Sequence, residues 1–154
     1  MKIAVVTDSN VAPLLPATDY DTIVIPAGEE NKTLATVGEV WNRMVELRLR
    51  RGDVVACVGG GVVTDLGGFC AATFKRGLPC INVPTTILGA VDAAVGGKTG
   101  FDFRGLKNEI GAFSMPEAVI VSDIFYATLP RRERLSGYGE MPVSYTHLRA
   151  HETR

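Results

Sequence analysis

Gly59 to Asn108 reads GGGVVTDLGGFCAATFKRGLPCINVPTTILGAVDAAVGGKTGFDFRGLKN, and the fold turns on how it starts. Three consecutive glycines follow the apolar run Val54 to Val58 and precede a helix of small residues. This is how a chain presents backbone N–H groups to a phosphate. Further on come Gly96, Gly97 and Lys98, then Lys107 and Asn108. Two places to hold anions, one of backbone and one of long cations, suggest a cofactor beside a phosphorylated or carboxylated substrate.

Outward from this stretch, the chain alternates short apolar runs with helical patterns. Ile3 to Val6 and Thr22 to Ile25 read as strands ended by the turn-formers TDSN and PAGEENK, with an irregular piece around Val11 to Leu15 between them. From Thr33 to Arg50, Leu34, Val37, Val40, Trp41, Met44, Val45 and Leu47 recur at helical spacing, and Gly52 is the expected stop. A helix over Val62 to Phe74 should follow the glycines and end at Lys75, Arg76, Gly77. The strand CINV then meets PTT and a short helix reaching Val95. Next comes a long connection rich in Gly, Lys and Asp, then the strand Ala118 to Val121 and a helix opened by Pro130. Continuous strands in β-α-β order argue for a parallel sheet covered on both faces.

With 154 residues, 46% hydrophobic and 21% charged, one globular core is expected. A net charge of −1 gives no electrostatic case for nucleic acid or an anionic membrane, so anion binding must be local. Cys57, Cys70 and Cys80 lack C-x-x-C spacing and read as reduced core residues. The run IAVV is too short for a signal or a membrane span, so a soluble cytoplasmic protein is expected.

Each chemical signal has a bland counterpart. Gly59 and Gly61 fit G-x-G, but Thr64 stands where a dinucleotide fingerprint has its third glycine, and a tight strand-to-helix turn explains the triplet equally well. Asp65 could be stabilised by the helix dipole alone. Gly97-Lys98-Thr99 resembles the end of a Walker A loop, yet the first glycine of that pattern falls at Asp92, so a nucleoside-triphosphatase reading fails. Lys98, Lys107 and Asn108 could be solubilising, although loops on such scaffolds carry function. Thr85 or Thr86 could cap a helix, and Glu29, Glu30 and Lys32 could be a solvated turn.

The combination GGGVVTDLGGF, KRG, VPTT, VDAAVGGKTG, GLKNEIGAF, TLP and SGYGE, in that order and spacing from about Asp8 to Met141, resembles 3-dehydroquinate synthase. The resemblance implies a Rossmann-like α/β domain over residues 1–141 that binds NAD, with the family's helical C-terminal domain missing and 142–154 an extraneous tail. It further implies that Asp8, Glu29, Lys32, Gly60, Gly61, Asp65, Thr85, Thr86 and Thr128 line the NAD site. Lys98 and Lys107 would lie where cofactor and substrate meet, with Asn108 on the substrate and Asp92 at its hydroxyl-bearing carbons. Arg76 would reach substrate phosphate across a homodimer interface. Glu140 would be the one ligand to a divalent metal, zinc or cobalt.

The implied reaction cyclises 3-deoxy-arabino-heptulosonate 7-phosphate to 3-dehydroquinate with loss of phosphate, in the shikimate pathway. NAD would take a hydride and return it, and the metal would polarise the oxidised oxygen. Thr64, and Ala93 with Ala94 where serines are common, depart from the pattern. PVSYTHLRAHETR matches nothing expected of the fold; its His147 and His151 stand one helical turn apart but read as chance, and the fragment is expected to be poorly soluble and inactive alone. Two other readings stay open. One is another sugar-phosphate cyclase or a metal-dependent polyol dehydrogenase on the same scaffold, the other a non-catalytic nucleotide-binding module.

Overall fold

The computed structural model describes residues 1–139. The apolar runs become β1 (Ile3–Asp8), β2 (Asp21–Ile25), β3 (Val54–Gly59), β4 (Cys80–Pro84) and β7 (Ala118–Val119), all parallel, in the order β2-β1-β3-β4-β7. Two helices follow strands as expected, α1 (Leu34–Glu46) and α2 (Gly61–Thr73). Residues 131–139 form α3, whose first turn closes by an Arg134 N–H bond to the Pro130 carbonyl.

The two faces of the sheet are covered unequally. Ala4, Val6, Val55, Cys57 and Cys80 belong to the main core, which α1, α2 and Phe101 complete. Val5 and Val58 point the other way, onto Val11, Leu15 and Phe125 from short 3-10 turns. The reason is the close seat of α2. A Cβ at Gly67 would lie 2.6 Å from Cys57 Sγ, and one at Gly68 would lie 2.7 Å from Thr99 Cγ2. The close approach expected of a glycine at position 64 is therefore made one turn later. Thr64 itself is buried, and its hydroxyl donates to the Gly61 carbonyl at 3.1 Å.

Two expectations are corrected. The helix after Thr33 ends at Glu46 rather than near Gly52, because Arg48 turns left-handed (φ 55°) and sends Leu49 back into the core. The supposed connection after Val95 is an antiparallel hairpin, β5 (Lys98–Phe103) with β6 (Leu106–Phe113). Its two-residue loop, Arg104 and Gly105, has positive φ at both positions, as a type I′ turn requires. The hairpin lies on α2, making α2 a buried middle layer.

Asp53 ties the start of the sheet to the turn after α1, accepting from the N–H groups of Lys2 and Arg50, each at 2.7 Å. These two donors hold its carboxyl below the usual range. Such a group adds stability above its unfolded value, near 3.8, that is lost as pH falls through the lower folded value. Asp53→Asn should therefore lower the thermal midpoint by a few degrees at neutral pH, with the gap to wild type closing below about pH 4. A gap unchanged by acid would contradict this.

Candidate functional site

In an open parallel sheet, ligands sit beyond the carboxyl ends of the strands where the order reverses. Here β1 is flanked by β2 on one side and β3 on the other, so that point lies between Asp8 and Gly59–Gly61. Gly60 is the N-cap of α2 and supplies no side-chain cap. Asp8 caps its own turn, accepting from Asn10 N–H at 2.8 Å and Val11 N–H at 3.0 Å. Buried Thr85 follows β4, and Thr86 Oγ1 accepts from Gly89 N–H at 3.0 Å, which bears out the capping reading of that threonine. Gly89 opens a π-helical turn (Gly89–Ala93); a Cβ there would lie 2.9 Å from Thr86 Oγ1 and 3.4 Å from Gly61 N, so the turn sits close to the start of α2.

Beside this edge is a cleft of about 430 Å³ lined by Asp65, Asp92, Lys98, Asn108 and Phe113 among others. Lys32, only 3% exposed, is bonded to two of these residues. Its ammonium donates to Asp65 Oδ2 at 2.6 Å and to Asn108 Oδ1 at 2.7 Å. The solvated-turn reading of Lys32 therefore fails, and so does the dipole reading of Asp65, which lies beyond the first turn of α2 and is partnered by a lysine. Burial pushes the Asp65 carboxyl up against the opposing pull of Lys32. Glu29 and Lys107 form a looser exposed pair at 4.0 Å above it.

Not every predicted residue is gathered here. Thr128 is exposed, its hydroxyl donating to the Phe125 carbonyl at 3.1 Å. Arg76 is exposed in left-handed backbone (φ 70°) beyond the far end of α2, about 20 Å from that helix's start by its rise per residue. Glu140, His147 and His151 lie outside the described residues. Gly96, noted above with Lys98, lines the cleft, and Thr99, Gly100, Gly111, Ala112 and Phe113 do so without having been singled out for it. The signal that could have found them is the alternation around Arg104-Gly105, which marks a hairpin.

Residues 22–136 match the 3-dehydroquinate synthase N-terminal domain. The chain belongs to the 3-dehydroquinate synthase family. It is 47% identical over 119 residues to the 3-dehydroquinate synthase of Parabacteroides distasonis, covering 77% of this chain and 34% of that protein. It is 42% identical over 155 residues to that of Streptococcus pyogenes serotype M6, covering 95% and 43%. The chain thus spans less than half the length of these 3-dehydroquinate synthases.

Among solved structures, 2-epi-5-epi-valiolone synthase from Streptomyces hygroscopicus, with NAD+ and Zn2+ bound, superposes with a TM-score of 0.83 at 33% identity, over 90% of this chain and 42% of that one. A 2-deoxy-scyllo-inosose synthase complexed with carbaglucose-6-phosphate, NAD+ and Co2+ gives 0.81 at 28%, over 90% and 40%. A probable glycerol dehydrogenase from Sinorhizobium meliloti, at 21% identity and TM-score 0.67, shares the fold. Members of the 3-dehydroquinate synthase family and these cyclases therefore have one Rossmann-like architecture in common, and the parallel sheet described above is its core. Among the described residues no helix is long and apolar enough to cross a membrane.

Proposed function

We propose that this chain is the NAD-binding part of a 3-dehydroquinate synthase, which cyclises 3-deoxy-arabino-heptulosonate 7-phosphate to 3-dehydroquinate with release of phosphate. The observation that carries the reading is the buried Lys32, bonded to both Asp65 and Asn108 beside an uncapped helix start. A lysine is rarely buried unless it is paired, and this one joins α2, through Asp65, to the hairpin that carries Lys98 and Lys107.

The residues present fit a dinucleotide. The N-terminus of α2 has no side-chain cap at Gly60, and Gly61 and Gly89 leave backbone where side chains would stand. Gly60, Gly61 and Thr85 would hold the pyrophosphate side, and Asp8, Glu29, Lys32, Asp65, Thr86 and Thr128 would line the rest of the cofactor site. Bound NAD supplies a hydride acceptor that is restored at the end of the cycle. Lys98 and Lys107 neutralise an acidic sugar, Asn108 offers its amide N–H to substrate oxygen because its carbonyl is engaged by Lys32, and Asp92 accepts from a substrate hydroxyl.

A divalent metal is a different matter. Among the described residues no group of three His, Cys, Asp or Glu side chains could hold one, so no step is assigned to it. Arg76 does not line the cleft of its own chain, which agrees with a homodimer in which it serves the other copy. Phe113 is 89% exposed on the rim of the cleft and Met115 is 72% exposed just after it, an apolar surface that the remaining length of the relatives would cover.

The second reading is another sugar-phosphate cyclase, favoured by the two solved structures at 33% and 28% identity. Phosphate release decides between them when a protein of the relatives' full length, starting with this chain, is given NAD, a divalent metal and the heptulosonate phosphate. Turnover supports the synthase; release only from another sugar phosphate transfers the assignment to that cyclase. The chain of 154 residues alone is expected to give no turnover.

A further inference from the structure

The hairpin is irregular at one place. Phe101 pairs with Ile110 and Phe103 with Leu106, so Asp102 alone faces Lys107, Asn108 and Glu109. Two extra residues on β6 must bulge outward, and Asn108 takes left-handed backbone (φ 53°) to do so. A bulge of this kind re-aims side chains. Here it carries Lys107 toward Glu29 and Asn108 onto Lys32.

The bulge is held by Asp102. Its Oδ1 accepts from the Asn108 N–H at 2.8 Å, and its own N–H donates to the Lys32 carbonyl at 2.8 Å. A bridge between Thr33 and Asp102 runs alongside. One residue is therefore fastened both to the segment bearing Lys32 and to the apex bearing Asn108, two partners 76 positions apart in sequence.

We propose that Asp102 is a positioning residue for the cleft: its carboxylate fixes the bulge that sets Lys107 and Asn108 against Glu29 and Lys32. Asp102 itself does not line the cleft. A side chain held this way by a supporting hydrogen bond is placed more tightly than a loop leaves it. The inference rests on reading the cleft as a dinucleotide site, so its test has one arm that needs no ligand.

In the chain as it stands, Asp102→Ala should speed hydrogen exchange at the Asn108 amide about tenfold, the size of one lost charge-assisted bond. Asp102→Asn, which keeps an acceptor oxygen, should exchange within about threefold of wild type. NAD affinity by calorimetry should fall about tenfold in Asp102→Ala and recover in Asp102→Asn, a rescue that a general loss of packing would not give. In a Lys107→Ala background the Asp102→Ala loss should shrink to about threefold or less, since one of the two groups being placed is gone.

Unchanged protection at Asn108 in a folded Asp102→Ala variant overturns the proposal. So does a loss of NAD affinity that is undiminished in the Lys107→Ala background. Should the alanine variant not fold, Asp102→Glu, which shifts the acceptor by one methylene, carries the same two measurements. Failure of wild type to bind NAD would instead count against the dinucleotide reading, with the exchange arm still deciding the role of Asp102.

Discussion

Gly111→Ala should destabilise the chain by about 3 kcal/mol, at the upper end for overpacking, and abolish measurable NAD binding. Gly111 faces Gly100 across the hairpin, and an added Cβ would fall inside van der Waals contact of the Thr99 carbonyl oxygen. That obstacle is backbone, so it cannot swing aside as a flexible side chain would. Thr99 is also fixed on both sides, its hydroxyl donating to the Ala112 carbonyl at 2.8 Å and its methyl packing on Gly68 of α2. Relief of the clash must therefore part β5 from β6 or lift the hairpin from α2, and either movement opens the cleft.

Gly38→Ala is the matched control. It lies within α1 with nothing within 4 Å of the new methyl, so it should stabilise by about 0.5–1 kcal/mol through helix propensity. Urea unfolding of the two variants should thus move in opposite directions. A Gly111→Ala protein as stable as wild type would refute the hairpin register described here.

The second large effect is expected at Lys32. Lys32→Met removes the partner of a mostly buried carboxylate and should cost about 2–3 kcal/mol at neutral pH, below the 3–5 range because Asp65 keeps 20% of its side chain exposed. The sign with pH follows from Asp65. Its carboxyl is already raised by burial, and without Lys32 it rises further. A raised acid contributes stability below its unfolded value, near 3.8, and loses it as pH climbs through the folded value. The deficit of the variant should therefore be small at about pH 3.5 and grow toward neutrality.

Adding Asp65→Asn should recover most of the loss, since the unpaired charge is then gone. NAD binding should stay absent in both variants. A deficit that does not vary with pH, or a double variant no better than the single one, would mean that the ion pair is not what keeps Lys32 in place.

Much of this was legible from the residue string because the central strands β1 and β3 are buried on both faces. Val54 to Val58 reads as a continuous apolar run next to glycine, which leaves little choice, and Cys80 to Val83 is broken only by Asn82. Lys98, Asp65, Asp92 and Asn108 were reached by resemblance, and the structure brings them to one cleft.

The hairpin was masked by its composition, with only the residues next to Arg104-Gly105 alternating. One of its five pairs is Gly100 with Gly111, which carry no side-chain signal, and its bulge is written in Lys, Asn and Glu, the letters of a loop. Asp102 was invisible for a related reason, because its carboxylate serves a backbone N–H, a use that no spacing announces. Burial of Lys32 is likewise a property of three segments meeting, not of the PAGEENK turn that contains it.

That meeting has a kinetic side. Lys32, Asp65 and Asn108 come from the segment before α1, from α2 and from β6, and the Lys32–Asn108 bond closes a ring of 76 positions. Contacts of such sequence separation form late, since the chain must give up its freedom before they repay anything. During refolding, backbone circular dichroism should thus recover before the capacity to retain a nucleotide, and a translating ribosome must release β6 before any binding-competent species can exist.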